Sequence, residues 1–175
     1  MKEKIMKLSV LVGIPVMALF IMVGMASADR AFQHHIKGVY AVTGFSSCDT
    51  GAPSIVEADY TFRHDGKGSI SNGVIRNLPG PVLTMEAEFE YTVNKEGRIE
   101  IEYNGVGLKI SVKDGPDLMT FDKGPSHGVI SPDNKTITIS CGPPVVLKVI
   151  ERFDNGPPVG TESDCITSLS GVRIR

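Results

Sequence analysis

Apolar and polar residues alternate along most of the chain, and the longest such run lies at 82–94. One set of alternate positions in this run is apolar: Leu83, Met85, Ala87, Phe89, Tyr91 and Val93. The positions between them are polar or acidic: Thr84, Glu86, Glu88, Glu90 and Thr92. Successive side chains of a β-strand point to opposite faces, so a period of two indicates a strand with one buried face and one solvated face.

Turn residues separate these alternating runs. Asp65-Gly66, Asn104-Gly105 and Asp114-Gly115 offer the positive-φ positions that tight hairpin turns need. The pattern predicts strands near 38–46, 54–64, 68–76, 82–94, 98–103, 106–112, 117–122, 126–131, 136–141, 145–153 and 168–175. We expect a short helix within 29–37 and a long polar loop from Asp154 to Asp164.

The predicted order of elements is all-β, with hairpin-length connections. So many antiparallel strands cannot form one flat sheet without exposing long edges, so the sheet must close or split in two. Short connections favour an antiparallel meander β-barrel of the lipocalin-like kind with about 8–10 strands. A β-sandwich is the alternative.

The N-terminus has the three parts of a secretory signal peptide. Lys2, Lys4 and Lys7 form a positive region, an uncharged apolar stretch follows, and Ala26-Ser27-Ala28 matches an A-x-A cleavage site. We therefore predict a signal peptide at 1–28 and a single β-barrel domain at 29–175. An uncleaved membrane anchor is the alternative, because the apolar stretch approaches the ~20 residues that span a bilayer.

The charge and compartment of the exported part follow from this cleavage. Residues 1–28 hold three of the 18 basic and one of the 20 acidic residues, so residues 29–175 carry a formal charge of −4. A mildly acidic surface repels phosphate backbones, so no nucleic-acid partner is expected. No second apolar stretch reaches membrane-spanning length, so we predict a periplasmic or secreted protein without membrane contact after cleavage. The sequence pattern does not indicate whether the protein is a monomer or an oligomer.

The chain contains three cysteines, which are Cys48, Cys141 and Cys165. In an exported protein one pair is expected to oxidise. If successive predicted strands alternate in direction, Cys48 and Cys141 end on the same rim while Cys165 enters the last strand at the other. We therefore predict a Cys48–Cys141 disulfide. The wide spacing and the lack of a C-x-x-C pair indicate no metal site.

Three motifs offer chemistry, each with a plainer interpretation. Gly124–Gly128 matches G-x-S-x-G, but a serine-hydrolase elbow needs a helix after the serine, so we interpret it as a hairpin loop. His34-His35 are adjacent, so their side chains diverge, and a solvated pair is favoured over metal ligands. The glutamates at 86, 88, 90, 100 and 102 form an acidic face; Ca²⁺ binding is the alternative to a solvated hairpin surface.

The first third of the exported part resembles a group of exported bacterial proteins of unknown function. The resemblance lies in Gly38-Val39-Tyr40, in the segment from Tyr60 to Gly68 with its F-x-x-D-G-x-G pattern, and in Ser71-Asn72-Gly73. It implies a lipocalin-like or allene-oxide-cyclase-like, calycin-type barrel.

Three functions remain open at this point. The leading one is an exported β-barrel that binds a small apolar ligand in its lumen. The residues expected to line the ligand are Leu83, Met85, Phe89, Tyr91, Ile101 and Tyr103. The alternatives are a structural or surface-interaction domain with a filled core and a lipid-cyclase or isomerase-type enzyme. No catalytic residue and no cofactor is indicated, so catalysis is the less favoured alternative, and a buried polar group among apolar neighbours would favour a site.

Overall fold

The computed structural model describes residues 36–49, 53–77, 82–103, 109–112, 117–121, 125–141, 146–151 and 158–175. The strands are β1 Gly38–Cys48, β2 Ser54–Phe62, β3 Lys67–Asn77, β4 Val82–Val93, β5 Arg98–Tyr103, β6 Lys109–Val112, β7 Asp117–Phe121, β8 Ser126–Ile130, β9 Thr136–Cys141, β10 Val146–Val149 and β11 Glu162–Arg173. None of the described residues is helical, and none of these ranges holds a helix long and apolar enough to cross a membrane.

The strands form one antiparallel sheet that closes on itself. The order β1-β2-β3-β4-β5-β8-β9-β11 returns to β1, because β1 and β11 pair along their lengths from Tyr40 opposite Arg173 to Cys48 opposite Cys165. Eight strands therefore complete the ring, and the predicted meander barrel is confirmed. Closure leaves no free edge along this ring, which removes the main hazard of a large antiparallel sheet.

Three positions in the wall hold two short strands one after the other. The segment of β4 from Phe89 to Val93 pairs with β5, while its segment from Leu83 to Glu86 pairs with β6. At the next position β7 pairs with β6 and β8 pairs with β5. At the third position β10 pairs with β7 and β9 pairs with β8, and both β9 and β10 then pair with β11. Eleven strands thus form a wall that is eight strands around at either level.

This arrangement contradicts the hairpin predicted at Asn104-Gly105. Because β5 and β6 are both antiparallel to β4 and meet successive parts of it, the chain keeps its direction between them. Residues 104–108 themselves lie outside the described residues. The turn at Asp65-Gly66 is confirmed, since Gly66 has a φ of 79° and its N–H donates to the carbonyl of Arg63 at 3.2 Å.

The predicted disulfide is wrong in one partner: Cys48 is bonded to Cys165, and Cys141 is a buried free thiol. The last strand was predicted to start at 168, but β11 begins at Glu162. The prediction also assumed that every successive strand reverses direction, whereas the chain keeps its direction from β5 to β6, from β7 to β8 and from β9 to β10. As a result β11 is antiparallel to β1, and Cys165 lies directly opposite Cys48. The bond joins the first and last strands and closes the barrel seam.

Some predictions fall partly or wholly outside the described residues. The signal peptide at 1–28, His34-His35 and most of the predicted helix at 29–37 lie there, as do residues 154–157 of the predicted loop. The last residues of that predicted loop, Glu162–Asp164, belong to β11. The loop interpretation of the G-x-S-x-G motif is wrong from Ser126 to Gly128, which lie in β8.

Aromatic rings fill one end of the barrel. We name this the aromatic end; it contains Gly38 and the turn at 63–66, and the opposite disulfide end contains Cys48 and Cys165. The ring of Phe62 lies 5.7 Å from Tyr40, 5.4 Å from Phe89 and 4.9 Å from Tyr91, each nearly edge-on. Edge-to-face contacts at these separations are favourable beyond the area they bury.

Two tyrosine hydroxyls at the aromatic end bind backbone carbonyls. The hydroxyl of Tyr91 lies 2.6 Å from the carbonyl of Arg63 and 2.9 Å from that of Ile36, whose side chain is fully buried. The hydroxyl of Tyr40 donates to the carbonyl of Asn134 at 2.9 Å. These bonds tie the segment before β1 and two turns to the aromatic core.

Candidate functional site

A group of polar side chains crosses the otherwise apolar lumen. The hydroxyl of Ser126 lies 2.9 Å from that of Tyr103 and 2.7 Å from the thiol of Cys141. Tyr60 is hydrogen-bonded to Tyr103 from the β2 side. On the next strands the hydroxyls of Thr167 and Ser46 are 2.8 Å apart. We name this set the polar belt: Ser46, Tyr60, Tyr103, Ser126, Cys141 and Thr167.

Strand register and the two-residue period build most of this belt. His127 pairs with Ser140, so the preceding Ser126 lies beside Cys141 on the inner face. Thr167 is opposite Cys141, and Ser46 is opposite Thr167. Small polar residues at inward positions of four neighbouring strands thus form one row, and tyrosines on β5 and β2 extend it.

The belt is neutral at physiological pH. Burial raises the pKa of Tyr60 well above its usual value and also raises that of Tyr103. Burial likewise raises the pKa of the Cys141 thiol, although its bond to Ser126 offsets part of the shift. Desolvation disfavours the charged form of each group. The belt therefore offers hydroxyl and thiol donors and acceptors without charge.

The described part of the lumen contains no charged side chain. Its buried polar residues, apart from the tyrosines and Cys141, are Ser126, Ser163 and Thr167. Every buried side-chain nitrogen and oxygen among the described residues has a hydrogen-bond partner. The belt therefore satisfies its own groups, and its rotatable hydroxyls can turn toward another partner without leaving a buried charge.

The belt separates two differently packed halves of the lumen. Toward the aromatic end the side chains are sealed, as for Phe89 at 0% exposure. Toward the disulfide end the wall is mainly aliphatic: Val56, Ile75, Leu83, Met85, Ile110 and Val149. Here a small exposure remains, 7% at Ile75 and 9% at Cys141 of the belt. The half toward the disulfide end is the less tightly sealed one.

The six residues predicted to line a ligand are divided between these regions. Phe89 and Tyr91 belong to the filled aromatic end, and Ile101 is fully buried beside Ser126. Tyr103 is half-buried and belongs to the belt, while Leu83 and Met85 line the half toward the disulfide end. All six side chains face inward, as the alternation predicted, but they do not form one surface.

Of the belt, only Tyr103 is among the residues predicted to line a ligand, so five members were not predicted as site residues: Ser46, Tyr60, Ser126, Cys141 and Thr167. Serine and threonine also occupy solvent-facing positions, so the hydropathy of Ser46, Ser126 and Thr167 does not mark them as part of the inner face. The available signal was parity, because Ser126 and Ile130 are both even positions of β8, and Cys141 shares its parity with Ile137 and Ile139 in β9.

The G-x-S-x-G serine is not a hydrolase nucleophile in this geometry. Ser126 lies in a strand, and its partners are the neutral hydroxyl of Tyr103 and the protonated thiol of Cys141. The adjacent His127 is exposed on the outer face, opposite Glu100. A strand places consecutive side chains on opposite faces, so His127 cannot serve Ser126 as a base.

The acidic face lies outside the barrel on β4 and β5. Glu90 is opposite Glu102, with Lys67 on the other side of Glu90. A shallow cleft of about 280 Å³ runs beside them, lined also by Asp65 and Glu100. Within the described residues no group of three His, Cys, Asp or Glu side chains is arranged to hold a metal ion, so Ca²⁺ gains no support.

Comparison with known proteins supplies no relative for this barrel. No protein-family model, curated protein or solved structure matches the chain. Inference about function therefore rests on the closed barrel, its disulfide and the neutral belt in its lumen.

Proposed function

We propose that this protein is an exported β-barrel that binds a small, uncharged and largely apolar molecule. The site is the half of the lumen between the polar belt and the disulfide end. The observation that carries the proposal is the belt itself: hydrogen-bonding groups placed inside an apolar lumen whose described side chains carry no charge. Ligand sites commonly combine apolar walls with a few such polar groups.

The chemistry of the wall selects the class of ligand. Aliphatic side chains such as Leu83 and Met85 favour contact with the apolar surface of a ligand, and this contact requires no particular orientation. The hydroxyls of Ser126 and Tyr103 can exchange hydrogen bonds with one carbonyl or hydroxyl of the ligand. A charged ligand would lose its hydration, and the described side chains of the lumen offer no opposite charge, so its burial would be costly. The lumen therefore suits a neutral molecule.

Export is supported by two independent features. The first 28 residues have the order of a signal peptide, and the Cys48–Cys165 disulfide is typical of oxidising compartments. The closed meander barrel also agrees with the lipocalin-like resemblance carried by Gly38-Val39-Tyr40 and the segment that follows. These features support the proposal that the protein is periplasmic or secreted.

The two alternative functions account for less of the structure. A filled-core structural domain fits the sealed aromatic end, but it gives no reason for a row of hydroxyls across the lumen. An isomerase or cyclase needs a group that moves protons near neutral pH. The raised pKa values of Cys141 and Tyr103 keep both groups protonated near neutral pH. The belt is therefore better suited to hydrogen bonding with a ligand than to proton transfer.

Native mass spectrometry of protein purified from its own source tests the proposal. We expect a mass excess from one small molecule that is lost on unfolding. The Met85→Trp variant, which fills the proposed half with an indole, should lack this mass. Thr92→Trp on the exposed face of the same strand is the matched control and should retain it. A wild-type protein that carries no ligand and takes up no neutral apolar probe would support the filled-core alternative.

A further inference from the structure

One outer face of the barrel carries no charged side chain. It spans residues 41–47 of β1, 136–140 of β9 and 166–172 of β11, three strands that lie side by side. Its outward residues are mainly serine and threonine. The outer face of β4 and β5, which lies across the barrel, is acidic instead. We name the uncharged surface the neutral face.

Exposed apolar side chains lie on the neutral face. Phe45 is 68% exposed and Ile166 60% exposed, and Val172 is also largely exposed. Phe45 is opposite Ser168 and Ile166 is opposite Ser47, so the two apolar side chains are diagonal neighbours on adjacent strands. Exposed apolar residues gathered on one uncharged surface indicate a contact surface rather than a solvated one.

Opposite charges flank the two ends of the neutral face. At the disulfide end Asp49 and Asp164 lie side by side, with the N–H of Asp49 donating to the carbonyl of Asp164 at 3.1 Å. At the aromatic end Arg173 and Arg175 are exposed, with the Nε of Arg173 donating to the carbonyl of Arg175 at 3.2 Å. The face therefore runs from an acidic end to a basic end.

We propose that the neutral face binds a second copy of this chain about a two-fold axis, with the strands of the two copies antiparallel. In that arrangement Asp164 of one copy meets the basic end of the other, and the apolar side chains are covered. A two-fold contact must be self-complementary, and this face has the required charge pattern. Two copies with a formal charge of −4 also avoid facing their acidic surfaces toward each other.

Sedimentation equilibrium of the purified exported protein tests this interface. We expect a dimer for the wild type and a dissociation constant raised at least about tenfold by Phe45→Lys or Ile166→Lys. Both side chains point to solvent within one copy, so the melting temperature of the monomeric unit should not fall. Val82→Lys, at an exposed apolar position on β4 away from the neutral face, should leave the dimer intact.

The antiparallel orientation has its own test. Asp164→Lys should weaken the dimer, because it places like charges together at the basic end, and added salt should weaken the wild-type dimer. A wild-type monomer at all concentrations, or face variants that dimerise as well as wild type, would overturn the interface. A dimer indifferent to Asp164→Lys would overturn the antiparallel arrangement.

Discussion

Single hydroxyl groups join the polar side chains of the belt inside the lumen. Ser126 bridges the hydroxyl of Tyr103 and the thiol of Cys141, and it is fully buried. A buried polar group left without its partner costs more than the hydrogen bond contributed when it was formed. The belt is therefore sensitive to the loss of one oxygen atom.

Replacing Ser126 with alanine should reduce the free energy of unfolding by about 1–3 kcal/mol, because two buried partners lose a hydrogen bond. Ser140→Ala on the outer face of the adjacent strand is the matched control and should change it by less than about 0.5 kcal/mol. Urea denaturation of the two variants measures both values. Equal effects of the two substitutions would show that the belt bonds contribute no more than surface ones.

Titration of the belt predicts how stability depends on pH. Burial raises the pKa of the Cys141 thiol above its ordinary value of 9.0 and that of Tyr103 above 10.0. The folded protein therefore retains protons that the unfolded chain releases, so stability is complete at neutral pH and falls as pH rises through these values. Urea denaturation from pH 7 to pH 10 should show this loss, and Cys141→Ala should lessen it. A Cys141→Ala profile identical to wild type would exclude the thiol as a cause.

Among the strands, β4 shows how the period-two pattern places side chains. Its inward residues extend from Leu83 near the disulfide end to Val93 near the aromatic end, so one strand contributes to both halves of the lumen. Phe89 is sealed among aromatic rings and also lies against Gly68, where a Cβ would come within 2.2 Å of its ring. Packing in this half is therefore close.

The variant Phe89→Ala should lose about 3–5 kcal/mol of stability, because it leaves a cavity among rings that cannot collapse into it. Glu88→Ala, the exposed neighbour on the same strand, is the control and should be nearly neutral. Because Phe89 lies at the filled end, binding of an apolar probe should change little. Urea denaturation with and without the probe measures both effects, and a neutral Phe89→Ala would contradict its inward packing.

The alternation was sufficient to predict the barrel and its eleven strands, but it placed the end of β10 at 153 instead of Val149 and the start of β11 at 168 instead of Glu162. The start of β11 was missed because two of its inward residues, Ser163 and Thr167, are polar, so the first half of β11 lacks a continuous alternating pattern. Thr167 belongs to the belt, and Cys165 forms the disulfide with Cys48. The Asn104-Gly105 pair is typical of a tight turn, so it predicted a reversal of the chain. Because β5 and β6 both pair antiparallel with β4, the chain instead has the same direction in these two strands.

On the scale of the whole molecule, closure depends on the seam between β1 and β11. These strands are separated by most of the chain, and the disulfide that joins them spans 117 residues. Such long-range pairing costs loop entropy when it forms, and a covalent link removes that cost from refolding. Parity of strand direction did not identify Cys165 as the partner, because the chain keeps its direction between β5 and β6, between β7 and β8 and between β9 and β10, which makes β11 antiparallel to β1.

Replacing Cys48 and Cys165 together with serine should therefore lower the free energy of unfolding by about 4–5 kcal/mol on the chain-entropy account. The control is Cys141→Ser, which leaves the seam covalently closed. Peptide mapping without reductant should link Cys48 to Cys165, and alkylation should label Cys141 only after unfolding. A Cys141-containing bridge would contradict the seam pairing.

The central claim, that the half of the lumen toward the disulfide end receives a neutral apolar molecule, is tested most directly by fluorescence titration with Nile red. We expect saturable binding by wild type and by Thr92→Trp, and none by Met85→Trp. The Met85→Trp protein should keep near wild-type stability, because an open half accommodates the indole, whereas over-packing a filled core would cost about 1–3 kcal/mol. No binding by wild type together with a strongly destabilised Met85→Trp would contradict the claim.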